Sequence, residues 1–525
     1  MIEEMTETPS APKPLGIISL LVFFAAFAGV IIRTPAPAIF LSDSDAGHQL
    51  AGAQQIAMGE HPFVDFRSTY GPLTFYASYI AQKIGGETIA AELLLCTTAY
   101  STAFLLLFLS AREMGGTPIA LICTALALVQ LPRFYKYYIF LGTALVLFCV
   151  FKYIRQPRKG RLALMAITVV IAGLYRPDQG AYAFLAAMMA VLVVEKSMMR
   201  AMLVFAGMVM AAAAPWLIFL IARGGLKNYI LDSTVGAAHH AIGLNLPFPR
   251  LDFSRPLGSG PNLSAMTFFI WWAMPLVAMV ALLIGWRRLN RPMRCMAGVA
   301  ILYAALSLLQ SAHRSDHGHL IQAVLPCYVL AAFVAGMILK SPRAASAWKV
   351  SALMAMALAM SVSVWTGMVE HSSGDINPNI LHDFTYFYAH RPATYITRLR
   401  AAQPDLSYLQ AVDFIESHTA PGQRILAVPT MTMLYYVTGR PFGGGQMLMA
   451  PGYFSDDADQ QRMIEALARE GNPLIIEVAD GGEYDRMPSR KTRTFAPIFY
   501  GYVDAHYYKV TGPPLPTGMD ALIAR

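Results

Sequence analysis

Long apolar segments alternate with short polar loops over the first two thirds of the chain. The apolar runs lie at 15–32, 72–84, 89–110, 117–131, 137–151, 162–174, 181–194, 201–222, 265–285, 295–311, 320–339 and 347–368. A helix needs about 20 apolar residues to cross a bilayer upright, so several of these runs are short for a span. The pattern predicts a membrane domain over 1–369, with the first run retained as a span because no cleavage pattern follows it.

Basic residues cluster in the loops that follow alternate apolar runs, at 152–161, 196–200, 287–294 and 340–343. An excess of Lys and Arg marks cytoplasmic loops. The loops around 132–136, 175–180, 223–264 and 311–319 then face outward, as does everything after about 369. Arg112 also falls on the cytoplasmic side, so the run at 89–110 enters the membrane from outside. This conflicts with a cytoplasmic N-terminus if 72–84 spans the membrane as well. We therefore predict eleven spans, with 72–84 as an interfacial or re-entrant helix, and a count of twelve or thirteen stays open.

The pattern changes to a soluble type after a connector at 370–404. An amphipathic helix is predicted at 405–418, a buried strand at 424–428, a second helix at 456–469 and a second strand at 473–478. This alternation indicates an α/β domain over 405–525. Three glycines at 443–445 predict a turn, because no strand directly precedes them and no helix directly follows, as a phosphate loop would require.

Composition agrees with a lipid environment. The chain is 56% hydrophobic and 14% charged, with a mean hydropathy of +0.47, whereas soluble domains carry about 25% charged residues. The formal charge of +8 does not indicate nucleic-acid binding, because Lys and Arg are concentrated in the loops between spans. All five cysteines lie in apolar runs, so neither a disulfide nor a thiolate–metal site is implied.

The predicted first outward loop, 33–88, contains candidates for chemistry. Two carboxylates, Asp43 and Asp45, directly follow the first apolar run, and acidic groups close to the membrane are functional candidates. The alternative is that one of them only N-caps a helix running through Ala57. We interpret the pair as catalytic, and we predict that Arg67 and Tyr70 bind substrate or phosphate.

Further polar groups crowd the other outward loops. A catalytic site at one membrane surface needs a base and cations that hold phosphate. The candidates for binding substrate or phosphate are Lys136, Arg176, Asp178, Arg314, Asp316 and His319. Purely structural interpretations of these residues stay open. Arg176 could pair only with Asp178, and Arg133 and Lys136 could only anchor the chain at the membrane interface. The histidines at 239–240 could be loop residues without a role in binding.

A divalent cation is a second possibility at this face. Asp43-Ser44-Asp45 has the Asp-x-Asp form that can hold Mg²⁺ or Mn²⁺ on a sugar diphosphate, and His317 is a further candidate ligand. Tight binding needs three or four convergent ligands, and His-x-His spacing points two side chains the same way only on a strand. We therefore predict hydrogen-bonding and phosphate-binding roles here, and no cofactor is firmly assigned.

Several of these motifs resemble the GT-C glycosyltransferases. These integral membrane enzymes take a sugar from a polyprenyl-phosphate carrier, and they include protein O-mannosyltransferases and the aminoarabinose transferase of lipid A. The resemblance rests on 45–48 (Asp-Ala-Gly-His), Ala53, Gly59, 61–66 (His-Pro-Phe-Val-Asp-Phe), 71–76 (Gly-Pro-Leu-Thr-Phe-Tyr), Arg314-Ser315-Asp316 with His319, and the tail segments 423–426 and 435–440.

The resemblance implies an inverting transfer of a sugar from a polyprenyl-phosphate donor to a hydroxyl of a glycan, lipid or protein acceptor. Asp45 would be the base, with Asp43 as second choice, and Arg176, Arg314 and Lys136 would stabilise the leaving phosphate. It also implies a multi-pass protein of the bacterial inner membrane, with the active site and the C-terminal domain in the periplasm.

One departure from the family concerns the outward loop before the fourth or fifth span. Many members have a second acidic residue there, whereas this chain has Arg133, Tyr135 and Lys136. Metal use and donor type therefore stay open.

Two other functions would each need different features of the chain. A transporter or flippase for a lipid-linked or anionic substrate needs charged or proline-broken segments at mid-membrane depth and often two related halves. Here the ionisable groups lie at the outer ends of the apolar runs. A non-catalytic cell-envelope assembly subunit would tolerate replacement of Asp45.

Overall fold

The computed structural model describes residues 14–42, 44–341, 345–370, 376–452, 454, 456–479, 482–512 and 514–525. The helices up to the end of the membrane domain are α1 (Pro14–Ile31), α2 (Pro37–Leu41), α3 (Ser44–Ala57), α4 (Pro72–Gly85), α5 (Ile89–Gly115), α6 (Thr117–Val129), α7 (Tyr137–Arg155), α8 (Lys159–Tyr175), α9 (Pro177–Val194), α10 (Met198–Ala222), α11 (Leu226–Leu231), α12 (Ala237–Gly243), α13 (Gly260–Gly285), α14 (Arg291–His313), α15 (His317–Ala323), α16 (Leu325–Leu339) and α17 (Ser346–Glu370).

Seven helices in the described part of the chain are long and apolar enough to cross a membrane. They are α5, α7 with the turn before it, α9, α10, α13, α14 and the 346–366 part of α17. The α15–α16 pair passes the same test together but is bent by 59°, which gives up to eight. The predicted eleven is not reached by this criterion, partly because α1 and α6 are apolar but short. The 14-residue α4 is also shorter than a span, consistent with the interfacial helix predicted at 72–84.

The remaining elements follow the membrane helices. They are α18 (Ile380–Asp383), α19 (Pro392–Ala402), α20 (Ser407–His418), β1 (Ile425–Val428), α21 (Met433–Thr438), α22 (Asp457–Arg469), β2 (Leu474–Val478), α23 (Thr492–Phe495), α24 (Pro497–His506), β3 (Tyr507–Thr511) and β4 (Met519–Ala524). The strands form one sheet in the order β1-β2-β4-β3, in which β1 and β2 are parallel and the other pairs antiparallel. All four residues of β1 are buried, as its uninterrupted apolar sequence predicts.

The tail, residues 405–525, packs directly on the first loop, residues 33–88. The side chain of Tyr436 on α21 donates a hydrogen bond to Gln82 of α4 at 3.0 Å, and Arg424 forms an ion pair with Glu60. At Gly47 the two backbones are so close that a Cβ atom would lie 2.3 Å from the Met433 nitrogen. The apolar core therefore continues from the membrane helices into the tail.

Candidate active site

Asp45 lies in the first turn of α3, where three side chains from the loop before α7 converge on its carboxylate. The Tyr135 hydroxyl donates a hydrogen bond to Oδ2. The Lys136 ammonium lies 3.5 Å from Oδ1, and the Arg133 guanidinium lies 3.7 Å from Oδ2. The Asp45 side chain remains 30% exposed, so a ligand can reach it.

Burial alone would raise the pKa of Asp45, but its neighbours reverse that effect. The charges of Lys136 and Arg133 and the hydrogen bond from Tyr135 hold the pKa of the Asp45 carboxyl well below its usual range. The group is therefore an ionised carboxylate at neutral pH. An ionised carboxylate can accept a proton from a hydroxyl within hydrogen-bond reach.

Lys136 is the most enclosed cation beside Asp45, with only 6% of its side chain exposed. A 3₁₀ turn over Phe134–Lys136 leads into α7, and the ammonium donates a hydrogen bond to the Tyr70 hydroxyl. It also lies 4.4 Å from the centroid of the Tyr70 ring and 5.0 Å from that of Tyr135. Aromatic faces stabilise a cation in such a partly desolvated position.

His48 lies one turn after Asp45 on α3 and encloses the site from the protein side. Its ring centroid is 4.9 Å from that of Tyr70 and 5.3 Å from that of Phe75. Burial lowers the pKa of His48 to about 3, so the ring is neutral near pH 7. Sequence reasoning gave His48 no role, although its i+3 spacing from Asp45 places both on one face of a helix.

Arg176 and Asp178 pair with each other through two hydrogen bonds of 2.9 and 2.6 Å. Burial alone would lower the pKa of Arg176, but Asp178 raises it, so the guanidinium is charged. The first loop reaches this pair because the Gly71 amide donates to the Tyr175 carbonyl at 2.9 Å. A Cβ at Gly71 would lie 2.1 Å from the backbone of α8, so this approach needs glycine. Arg176 therefore lies near Tyr70.

Arg314, Asp316 and His319 form one connected set of hydrogen bonds. Arg314 Nε donates to Asp316 at 3.0 Å, and Asp316 caps α15 by accepting from the His319 amide at 2.9 Å. His319 Nδ1 lies 2.8 Å from the same carboxylate. Asp316 thus orients both partners, and Arg314 extends towards the tail, where it contacts Asp485.

His240 is a site residue that sequence reasoning did not assign. Burial lowers its pKa to about 4, and the charges of Arg176, Arg314, His319 and Lys136 act in the same direction. Three loops therefore place positive charge around one imidazole. No signal in the sequence connects these segments, because the approach of α12 depends on the tertiary fold.

The tail also reaches the site. Tyr484 donates a hydrogen bond to the Met449 carbonyl. Burial raises the pKa of Tyr484, and the nearby charge of Asp45 raises it further. The tail therefore lies within electrostatic range of Asp45.

Arg67 occupies a different position from the residues around Asp45. Its Nε atom lies 2.9 Å from Asp232, and its guanidinium also pairs with Asp459 of α22. Its backbone amide donates to the Gly445 carbonyl at 3.1 Å, within the turn formed by the three glycines. Arg67 joins the first loop to the tail beside a cavity of about 350 Å³.

The residues around Asp45 do not fit a divalent cation. Lys136, Arg133 and the Tyr135 hydroxyl are donors or cations, and they would repel a metal ion from this carboxylate. Across the residues that the structure describes, no group of three or more His, Cys, Asp or Glu side chains is placed to hold a metal. Asp43, the other half of the Asp-x-Asp motif, lies outside the described residues.

A bundle of membrane helices, a first-loop helix with an acidic residue in its first turn and a C-terminal α/β tail make up a fold that a solved structure shares over almost its whole length. The chain is similar to ArnT from Cupriavidus metallidurans bound to undecaprenyl phosphate, with 13% identity, a TM-score of 0.53 and coverage of 98% of both chains. The apo state of that protein matches at 12% identity and a TM-score of 0.48, again over 98% of both chains.

The Archaeoglobus fulgidus oligosaccharyltransferase, in complex with Zn and sulfate, matches at 13% identity and a TM-score of 0.47, over 96% of this chain and 73% of that one. No protein-family profile and no curated protein sequence matches the chain.

Proposed function

We propose that this protein is a glycosyltransferase that moves a sugar from a polyprenyl-phosphate carrier to an acceptor hydroxyl. The observation that carries the proposal is the ionised, partly exposed Asp45 carboxylate next to the enclosed ammonium of Lys136. Such a pair supplies a proton acceptor and a cation for a leaving phosphate in one place. The fold supports the same function, because the similar ArnT structure holds undecaprenyl phosphate.

The reaction is a single displacement. The acceptor oxygen attacks the anomeric carbon while its proton moves to Asp45. The bond between that carbon and the phosphate oxygen breaks, and its electron pair leaves with the polyprenyl phosphate. Attack opposite the leaving group inverts the configuration at the anomeric carbon. Oδ1 is the assigned proton acceptor, because Oδ2 accepts a hydrogen bond from Tyr135.

The basicity of Asp45 depends on the donor. Lys136 and Arg133 hold its pKa low, which makes the carboxylate a weak base while the donor is absent. A bound phosphate would compensate both cations, so the pKa of Asp45 would rise towards a value that suits proton transfer. The charge compensation is therefore assigned to side chains and not to Mg²⁺ or Mn²⁺.

The other candidate residues receive supporting roles. Tyr70 holds Lys136 through its hydroxyl and its ring, and Asp178 orients Arg176, which faces the leaving phosphate. Asp316 orients both Arg314 and His319. Arg67 is assigned to binding the acceptor, because it lies at the junction with the tail.

The proposed setting is the bacterial inner membrane, with the site and the tail in the periplasm. The partners are a polyprenyl-phosphate sugar donor, membrane lipid, and a glycan, lipid or protein acceptor. Lys and Arg concentrated in the predicted cytoplasmic loops support this orientation.

The test is transfer of labelled sugar from membrane-extracted polyprenyl-phosphate donors by purified wild type and Asp45→Asn protein. We expect the variant to lose roughly a hundredfold or more in rate while its melting temperature is retained. The matched control is Asp413→Asn, since Asp413 pairs with Arg400 and is 53% exposed. Full activity of Asp45→Asn would overturn the assignment of the base, and absence of turnover with every donor would overturn the proposed function.

A further inference from the structure

Two guanidinium groups converge on the carboxylate of Asp485, where the tail meets the membrane domain. Arg314 contacts it through Nη2 at 2.6 Å and Nη1 at 3.1 Å. Arg490 contacts the Oδ2 atom at 2.5 Å. The three side chains are between 11% and 22% exposed. Two bonds from one guanidinium and one from another are the arrangement with which arginines hold a phosphate.

The two arginines are also fixed by groups other than Asp485. Arg314 donates to Asp316 at 3.0 Å and to the Leu244 carbonyl at 3.2 Å. Arg490 donates to the Asn245 carbonyl at 2.6 Å. Removing the Asp485 carboxylate would therefore leave both guanidiniums in place. We call Arg314 and Arg490 the anion seat.

Asp485 fills the seat from a backbone conformation in the left-handed region, with a φ of 55° and a ψ of 23°. Asp adopts this region more often than most residues with a side chain, although less often than glycine. The two arginines hold Asp485 in this conformation. A ligand that takes over the arginines would free Asp485 to adopt other conformations.

A cavity of about 550 Å³ gives access to the seat. Its lining includes His239, Ile242, Pro451, Asp456, Ser489 and Arg490. Because Arg490 belongs to both the cavity wall and the seat, a group that enters the cavity can reach the guanidinium without crossing the protein core.

We propose that Arg314 and Arg490 bind the phosphate group of a membrane lipid and that Asp485 fills their place until this lipid displaces it. A phosphate monoester carries a charge of about −1.5 to −2 and three acceptor oxygens, so it competes well with one carboxylate. The inference rests on the proposed function, which supplies a polyprenyl phosphate as the lipid. It adds that the tail and the carrier phosphate compete for the same two arginines.

The test is equilibrium binding of radiolabelled undecaprenyl phosphate to the purified full-length protein. We expect Asp485→Asn to lower the Kd about tenfold, because the charged competitor is removed. The matched control is Asp504→Asn, since Asp504 pairs with Arg493 in the tail and is 62% exposed. In an Arg314→Met background the effect of Asp485→Asn should become smaller, because Asp485 then competes only for Arg490.

A second measurement needs no variant. Amide hydrogen exchange of residues 482–491 in the wild type should accelerate when undecaprenyl phosphate is added, because Asp485 leaves the seat. Unchanged exchange, or a Kd that is equal or higher in Asp485→Asn, would overturn the inference. Inorganic phosphate distinguishes the sources: acceleration by inorganic phosphate at the same concentration as the lipid would overturn the assignment to a lipid.

These outcomes separate the inference from the proposed function. Sugar transfer with unchanged lipid binding in Asp485→Asn would overturn the inference alone. Tighter lipid binding in that variant, together with a complete absence of sugar transfer, would support the seat and overturn the transferase function.

Discussion

The hydroxyl of Tyr135 donates a hydrogen bond to Oδ2 of Asp45, across 90 positions of the chain. The next residue, Lys136, approaches the other oxygen of the same carboxylate at 3.5 Å. The short turn before α7 therefore gives the two oxygens of the carboxylate different partners. The hydrogen bond orients the carboxylate, and it is one of the contacts that lower the pKa of Asp45.

We predict that Tyr135→Phe slows transfer about tenfold with little change in KM for the donor. The variant keeps the ring that faces Lys136 and loses only the hydroxyl. Because that hydrogen bond lowers the pKa of Asp45, its loss raises the pKa and moves the acid limb of the rate profile to higher pH. The measurement is the pH dependence of kcat, which reports the pKa of Asp45 in the complex with the donor. Tyr508→Phe, at a residue that is 48% exposed, is the control. An unmoved acid limb would contradict this role.

Lys136→Met should reduce transfer by about a hundredfold, the size expected when one preorganised donor to a developing charge is lost. Methionine keeps the apolar stem against Tyr70 and removes the ammonium. The same assay on Lys83→Met serves as control, since Lys83 pairs with Glu87 and is 51% exposed. Equal activities of the two variants would show that Lys136 does not stabilise the leaving phosphate.

Local patterning accounts for much of the tail. The helix predicted at 405–418 forms at Ser407–His418, and the strand predicted at 473–478 forms at Leu474–Val478. In both cases the spacing of apolar residues within one segment is sufficient to predict the element. The run at 320–339 shows the limit, because the helix bends by 59° after Ala323. Hydropathy is continuous across that bend, and Pro326 in the first turn of α16 is its only local signal.

The site could be predicted only as a set of separate loops. The sequence places Asp45, Lys136 and Arg314 in loops on the same side of the membrane. It does not give the positions of those loops relative to one another. The pairing of Arg314 with Asp485 spans 171 positions and depends on how the tail docks. The structure supplies this docking, and with it the connection between the tail and the candidate phosphate site.

Gly47→Ala tests the docking itself. A Cβ there would lie 2.3 Å from the backbone nitrogen of Met433, and a backbone atom cannot move aside as a flexible side chain can. We expect the free energy of unfolding to fall by about 1–3 kcal/mol and the tail of the folded protein to be proteolysed faster. Gly207→Ala in α10 is the matched control, because a Cβ there meets nothing within 4 Å. The docking geometry is wrong if both variants resist protease equally.

Stability should fall as the pH is lowered from about 6.5, partly because of His48. Burial lowers its pKa from 6.5 to about 3, so between these values the unfolded chain binds a proton that the folded protein does not. The unfolded state is therefore favoured by acid, by about 2 kcal/mol at pH 5. His48→Phe, which keeps a ring against Tyr70 and removes the titrating group, should flatten the fall in melting temperature between pH 7 and pH 5. His240, whose pKa burial lowers to about 4, adds a fall of the same sign and of similar size over this range. His382→Phe, at a side chain that is 65% exposed, should leave the pH dependence unchanged. A His48→Phe profile that overlays the wild type would mean that the ring takes up its proton without cost in the folded protein.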